Sequence, residues 1–269
     1  MLNVDIKELL EAGIHFGHQR QKWNPKMAGY IYTVRNDIHI IDLEKALKCL
    51  NDAYDFVKNL SSTNGNIIFV GTKRQAQDVI KEEAERCEAF YVNNRWLGGT
   101  LTNFSTIRKS LWKLIDFEEK QKNGEFDGLQ KKERARLLKE YGKLVRNLGG
   151  MKGLEELPSA IYIIDSAKEK ICVEEARKMG IPTIAIVDTN GDPDKVTYPI
   201  PANDDAIRSI RFITSCIANA VIEGRNIKEG LPQEEKVEDI VKDIEEKEIK
   251  TEEVKEKEEV VSEIGSESD

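Results

Sequence analysis

Residues 159–187 read SAIYIIDSAKEKICVEEARKMGIPTIAIV, and this stretch decides the fold class. Two short apolar runs, 159–164 and 183–187, flank a helical pattern from Lys168 to Met179 that closes on Gly180-Ile181-Pro182. Strands this uniformly apolar must be buried on both faces, and a helix between two of them makes a parallel crossover. The pattern repeats upstream. Asn66–Val70 is an apolar run ending at Gly71, a helical stretch follows from Arg74 to Arg86, and Ala89–Val92 is a further short strand. Downstream, a last helix runs from Asp204 to about Glu223, with Ile207, Ile210, Ile213, Ile217 and Val221 as its apolar stripe. The expectation is an α/β fold: a doubly wound parallel sheet covered by helices.

One segment breaks the alternation. From Thr106 to Leu148 there is no strand signal, only two charged helical stretches on either side of Asn123-Gly124. Ile107, Leu111 and Leu114 on the first, and Leu137, Tyr141, Leu144 and Leu148 on the second, recur at spacings of three and four. Two helices sharing one narrow apolar seam predict a coiled-coil hairpin inserted over 105–148. That segment holds 12 basic and 7 acidic residues, a net of +5, which suits contacts to phosphates. The same charge also suits a hairpin that is merely solvated.

The chain of 269 residues carries a net charge of −8, but its distribution matters more than its sum. Residues 233–269 contain 16 acidic residues and 6 lysines, so the remaining 232 residues are near +2. Without aromatic residues and with little apolar content, 233–269 is expected to be an acidic, disordered, solubilising tail. The domains expected are thus 1–104 with 149–232 as the α/β body, 105–148 as the hairpin, and 233–269 as the tail. Four scattered cysteines, Cys49, Cys87, Cys172 and Cys216, give neither a disulfide framework nor a zinc ribbon and point to a reducing compartment. No apolar stretch approaches the roughly 20 residues needed to span a bilayer. A cytoplasmic protein with no membrane partner is expected.

Chemistry concentrates in a few places. Between Ala12 and Asn36 lie Arg20, Lys22, Lys26 and Arg35 with no carboxylate, interleaved with Trp23, Tyr30 and Tyr32. Cations that bind phosphates beside rings that stack on bases make an RNA-facing loop. His15 and His18 form only an HxxH pair, a weak ligand signal, and a hydrogen-bonding role is the readier account. Asn93–Phe104 contains Arg95 and Gly98-Gly99. Such a loop either cradles a phosphate backbone or makes the tight turn that starts a helix. Gly71-Thr72-Lys73-Arg74 follows a strand but lacks the spacing of a phosphate loop, and the chain has no GxGxxG after a strand. Asp188, Asp192 and Asp194 crowd the end of the fourth strand, where three carboxylates can hold a hard cation or simply shape an Asx-rich turn. No nucleophile–base pair and no paired carboxylates can be assembled. A non-catalytic, RNA-binding protein is the reading these residues favour.

Four stretches, His15–Met27, Arg95–Ile107, Leu157–Asp165 and Gly180–Ile210, together resemble the bacterial-type ribosomal small-subunit protein two family. Asp188-Thr189-Asn190 and Pro201–Ile210 carry much of the likeness, which runs from about Leu2 to Gly230. Two departures stand out. After His18 the chain reads Gln-Arg-Gln-Lys-Trp where the family more often has Gln-Thr-Arg-Arg-Trp, and Gly191 stands where many members have cysteine. The resemblance implies a flavodoxin-like sheet with a protruding coiled-coil hairpin, and a place on the solvent side of the small subunit. It implies contact with small-subunit ribosomal RNA and other small-subunit proteins, recruitment of the large ribosomal protein one, no homo-oligomer and no enzymatic activity. Arg20, Lys22, Trp23 and Lys26 are the first candidates to face RNA, then Arg95 and Arg108, then Lys131, Lys132, Arg134 and Arg136 on the hairpin, with Arg208 and Arg211 either touching RNA or lining the last helix. No cofactor is required. If a Mg or Zn ion binds, His18 with Asp188 and Asp204 or Asp205 is the constellation expected to hold it. The fold alone also permits an α/β nucleotide-binding enzyme, which the missing phosphate fingerprint disfavours.

Overall fold

The structure is a computed structural model that describes residues 4–126 and 130–229. Its centre is a five-stranded parallel sheet of β4 (Ile67–Val70), β5 (Phe90–Val92), β6 (Ala160–Ile164), β7 (Thr183–Val187) and β8 (Tyr198–Pro201). They lie in the order β5-β4-β6-β7-β8, the order of the flavodoxin-like doubly wound arrangement. Every residue of β4, β6 and β7 is buried, which is why these strands read as unbroken apolar runs.

Alternate side chains face opposite ways. Ile68, Val70, Ile161, Ile163, Ala185 and Val187 share one core cluster with Cys172, Val173 and Ala176 of α6 (Lys170–Met179). The other face meets α7 (Ile207–Glu229), where the buried Tyr162 hydroxyl lies 3.0 Å from Thr214 Oγ1. α2 (Leu43–Ser62) packs along α7, and α3 (Gln77–Arg86) also meets it. Asp42 caps α2 by accepting from the N–H groups of Glu44 and Lys45. Among the described residues no helix is long and apolar enough to cross a membrane.

The edges are short or interrupted. β5 has three residues, and β8 carries Pro199 and Pro201, which offer no N–H to a further strand.

The charged insertion contains α4 (Phe104–Lys122) and α5 (Lys131–Leu148). They lie antiparallel: Phe117 stacks on Tyr141 with centroids 5.0 Å apart, and the Tyr141 hydroxyl donates to Glu118 at 2.9 Å. Ile107, Leu111 and Leu114 of α4, with Leu148 of α5, belong to the same core cluster as the sheet. The base of this helix pair is therefore part of the main core, and only its far end is free of it.

The N-terminal part departs from expectation. After α1 (Ile6–Glu11), the stretch read as a loop folds into β1 (Phe16–Gln19), two short 3-10 turns and β2 (Ile31–Arg35), with β3 (Ile38–Ile41) between the two strands in a small antiparallel sheet. Asn36 and Asp37, at φ 50° and 58°, make the two-residue turn that such a hairpin favours. The last helix begins at Ile207, not Asp204, and reaches Glu229. The acidic segment 233–269 lies outside the described residues.

Candidate functional site

Ligands of open α/β sheets gather outside the carboxyl ends of the strands. Here that end is covered by the small N-terminal sheet. The His18 N–H donates to Thr189 Oγ1 at 2.9 Å, and the Asn24 N–H to the Thr189 carbonyl at 2.7 Å. The Asn203 side chain donates to the Phe16 carbonyl at 2.5 Å. Gly17 makes this approach possible, because a Cβ there would lie 2.6 Å from Thr189 Cγ2 and 3.1 Å from the His39 carbonyl oxygen. The contact delivers the His18 ring to the end of β7.

Four strand ends then converge on one charged cluster. His18 Nδ1 lies 3.0 Å from Asp188 Oδ2, and its Nε2 lies 3.5 Å from Asp205 Oδ2. Lys73, beyond β4, donates to Asp204 at 2.6 Å and is 2.5 Å from Asp205 and 3.5 Å from Asp165. Asp165, the residue after β6, lies in the left-handed region, φ 65°, a conformation aspartate tolerates better than most residues. The lysine read as part of a failed phosphate loop is instead neutralised by carboxylates. Asp188 also accepts from the N–H and hydroxyl of Thr189, and its Oδ2 accepts from the Asp204 N–H. Asp204 Oδ2 is buried without a hydrogen-bond partner. Donor atoms of His18, Asp188 and Asp204 lie within 4.8 Å of one another, an arrangement that suits a small cation. Asp192 and Asp194 do not join them, since both hold Lys26, at 3.0 Å and 2.8 Å. The three aspartates of that loop are split between two tasks.

The cluster is pH-sensitive. Burial, with Asp165 and Asp188 close by, pushes Asp204 up to about 7. The hydrogen bond to Asp188 raises His18 above its usual value, against the effect of burial. Burial works against the Lys73 charge, but hydrogen bonds to Asp204 and Asp205 outweigh it and raise its pKa. A carboxyl with a raised pKa holds its proton in the folded state where the unfolded chain releases it, so stability falls as pH rises from about 4 to about 7. His18 acts in the same direction: its contribution is complete below about 6.5 and fades as pH passes its raised folded value. Asp204→Asn is therefore expected to flatten the stability profile. Urea denaturation at pH 5 and pH 7.5 should show the gap narrowing by more than about 1.4 kcal/mol, the worth of one pKa unit. An unchanged gap would mean that Asp204 titrates normally.

The cations divide by whether the chain already neutralises them. Arg20 and Lys22 sit exposed on a 3-10 turn and make no ion pair among the described residues. Trp23 is 37% exposed, with its ring 5.2 Å from that of His39. Lys26 is taken up by Asp192 and Asp194. Arg95 is exposed ahead of α4, and the Arg108 guanidinium lies over Trp112 at 5.2 Å. Lys131, Lys132, Arg134 and Arg136 are all exposed on the first turns of α5. Arg208 is exposed at the start of α7, whereas Arg211 donates to Glu82 at 2.7 Å. The candidates thus form separate groups along the surface.

The Gly98-Gly99 loop is a tight turn leading into α4. Its donors point inward: the N–H groups of Gly99, Leu101 and Thr102 reach the Glu175 carboxylate at 2.6, 2.9 and 3.2 Å. An internal carboxylate sits where a phosphate cradle would need its ligand. Glu175, Lys73, Asp165 and Thr189 are the site-building residues that sequence reasoning missed. Lys73, Asp165 and Thr189 had a usable signal, namely their place just past a strand's carboxyl end, whereas Glu175 had none. A family model described as ribosomal protein S2 matches residues 9–224.

Proposed function

The chain belongs to the ribosomal protein S2 family, whose members are structural components of the small ribosomal subunit and not enzymes, and from this premise we propose that it holds small-subunit ribosomal RNA by a surface of unpaired cations. The observation that carries this is the Arg20–Lys22 turn. It presents two cations with no ion pair, on a segment pinned to the sheet by Thr189 and Asn203. Preorganised cations replace condensed counterions without first being pulled from internal carboxylates. Lys131, Lys132 and Arg136, exposed at the start of α5 in the helix pair read as a coiled-coil hairpin, extend the surface.

Replacing Arg20 and Lys22 together by glutamine is expected to weaken binding to small-subunit RNA about tenfold and to lower the salt slope by about two. Anisotropy titrations at several salt concentrations measure both. An unaltered slope removes this turn from the interface. Co-migration of the chain with small subunits in a sucrose gradient is the broader check, and sedimentation only at the top of the gradient would overturn the proposal. The family places the chain on the ribosome, a cytoplasmic particle. The proposal extends to recruitment of the large ribosomal protein one, so small subunits depleted of this chain should lose that protein too.

A bound divalent cation is a second part of the reading, supported by the buried, unpartnered Asp204 Oδ2 facing a histidine and a second aspartate. An imidazole among carboxylates suits zinc better than magnesium. Because Asp204 and His18 must release protons, zinc should bind more tightly at pH 7.5 than at pH 5.5. Calorimetric titration that finds no zinc binding at either pH would dismiss it.

A further inference from the structure

Away from the acidic cluster, a hollow of about 420 Å³ opens beyond the carboxyl end of β5, between α3, the last turn of α5 and the turn Gly149–Met151. Its charged lining is of one sign. Lys81, Arg146 and Lys152 reach it, and no carboxylate does. Lys152 is held by Glu118 of α4, but Lys81 and Arg146 make no ion pair among the described residues. Asn93, Asn94 and Asn147 add side-chain amides. Asn93 donates to the Gln77 carbonyl at 3.1 Å and Asn94 to Asn147 Oδ1 at 2.8 Å. That leaves the Asn147 Nδ2 group as a donor with no acceptor among the described residues.

The wall of the hollow is built at close quarters. A Cβ on Gly150 would lie 2.4 Å from the Tyr91 carbonyl oxygen, so only glycine lets this turn close on β5. Asn94 and Asn147, 53 residues apart in the chain, are thereby tied across the opening. The donors are set before any ligand arrives.

We propose that this hollow binds one phosphate group, supplied by a backbone phosphodiester of the RNA; the choice of RNA as source rests on the function proposed above. A guanidinium grips two phosphate oxygens at once, an ammonium adds a point charge, and an amide donor can meet a third oxygen. Two unpaired cations beside one hollow repel each other, and an anion between them turns that repulsion into attraction. Contacts of this kind fix register on RNA without reading its sequence.

The test uses the full chain, isotopically labelled and titrated with inorganic phosphate while backbone amide shifts are followed by NMR. Saturable shifts are expected at Asn93, Asn94, Gly149 and Gly150, and they should vanish in Lys81→Gln/Arg146→Gln. Both side chains are exposed, so that variant should keep its fold. Asn147→Asp, which places a carboxylate in the hollow, should abolish the shifts by repulsion. In RNA titrations the double variant should bind about three- to tenfold more weakly, with a salt slope lower by about one, the worth of one phosphate. Phosphate shifts with unaltered RNA binding would uphold the pocket and assign its phosphate to a small phosphorylated compound. Absence of saturable phosphate shifts, with RNA affinity and slope unaltered in the double variant, overturns the proposal. Should the unmodified chain bind no RNA at all, the functional reading falls, while the phosphate titration still decides the pocket.

Discussion

Replacing Glu175 by alanine is expected to cost about 3 kcal/mol of folding stability and to lower the melting temperature by roughly 6–12 °C. The carboxylate accepts from three backbone N–H groups and from the Thr102 hydroxyl. Leu101 is 1% exposed, so its N–H has no water to turn to once the acceptor is gone. An orphaned buried donor costs about 1–3 kcal/mol, and the nearer-surface donors of Gly99 and Thr102 can partly rehydrate. Glu175→Gln keeps one acceptor oxygen but turns an NH₂ group toward donors, so it should recover only about half of the loss. Urea denaturation of the three proteins measures this. An alanine variant within about 0.5 kcal/mol of the parent would show that the loop is held by other contacts.

The second large effect concerns RNA. Changing Lys131, Lys132, Arg134 and Arg136 together to glutamine should weaken RNA binding on the order of a hundredfold and lower the salt slope by about three to four. All four side chains are exposed, and glutamine is nearly as good a helix former as lysine or arginine, so α5 should persist. Circular dichroism of the variant checks the helix, and salt-dependent titration checks the interface. A slope equal to that of the parent would make the helix pair a solvated projection that touches no RNA.

The parallel sheet was legible because β4, β6 and β7 are buried throughout and so stand out as continuous apolar runs. β8 was not legible: Tyr198-Pro199-Ile200-Pro201 carries two prolines, which argue against a strand anywhere but at an edge. The strands of the small N-terminal sheet were hidden for another reason. Four of the five residues of β2 are exposed, so no burial pattern marks it, and tertiary contacts to Thr189 and Asn203 hold β1 in place. Helix starts slipped by two or three residues where side chains form turns first, as at Asn203, whose carboxamide accepts from the N–H groups of Asp205 and Ala206. α2, with its Asp42 cap and buried Ala46, Leu50, Ala53 and Val57, carries a helical stripe at spacings of four, three and four that is legible in the sequence. In the site, the convergence of His18, Asp188, Asp204 and Asp205 followed from where strands end. The role of Glu175, more than 70 residues from its partners, left no trace in local pattern.

The blunt borders of the main sheet bear on a different stage of the protein's life. A ribosomal constituent is made before it is installed, and during that interval copies meet copies. Three residues of β5 on one side and a proline-broken β8 on the other give a colliding chain almost no main-chain template along which to zip. Along both borders of this sheet, edge-to-edge pairing between free copies is therefore disfavoured before any RNA is present.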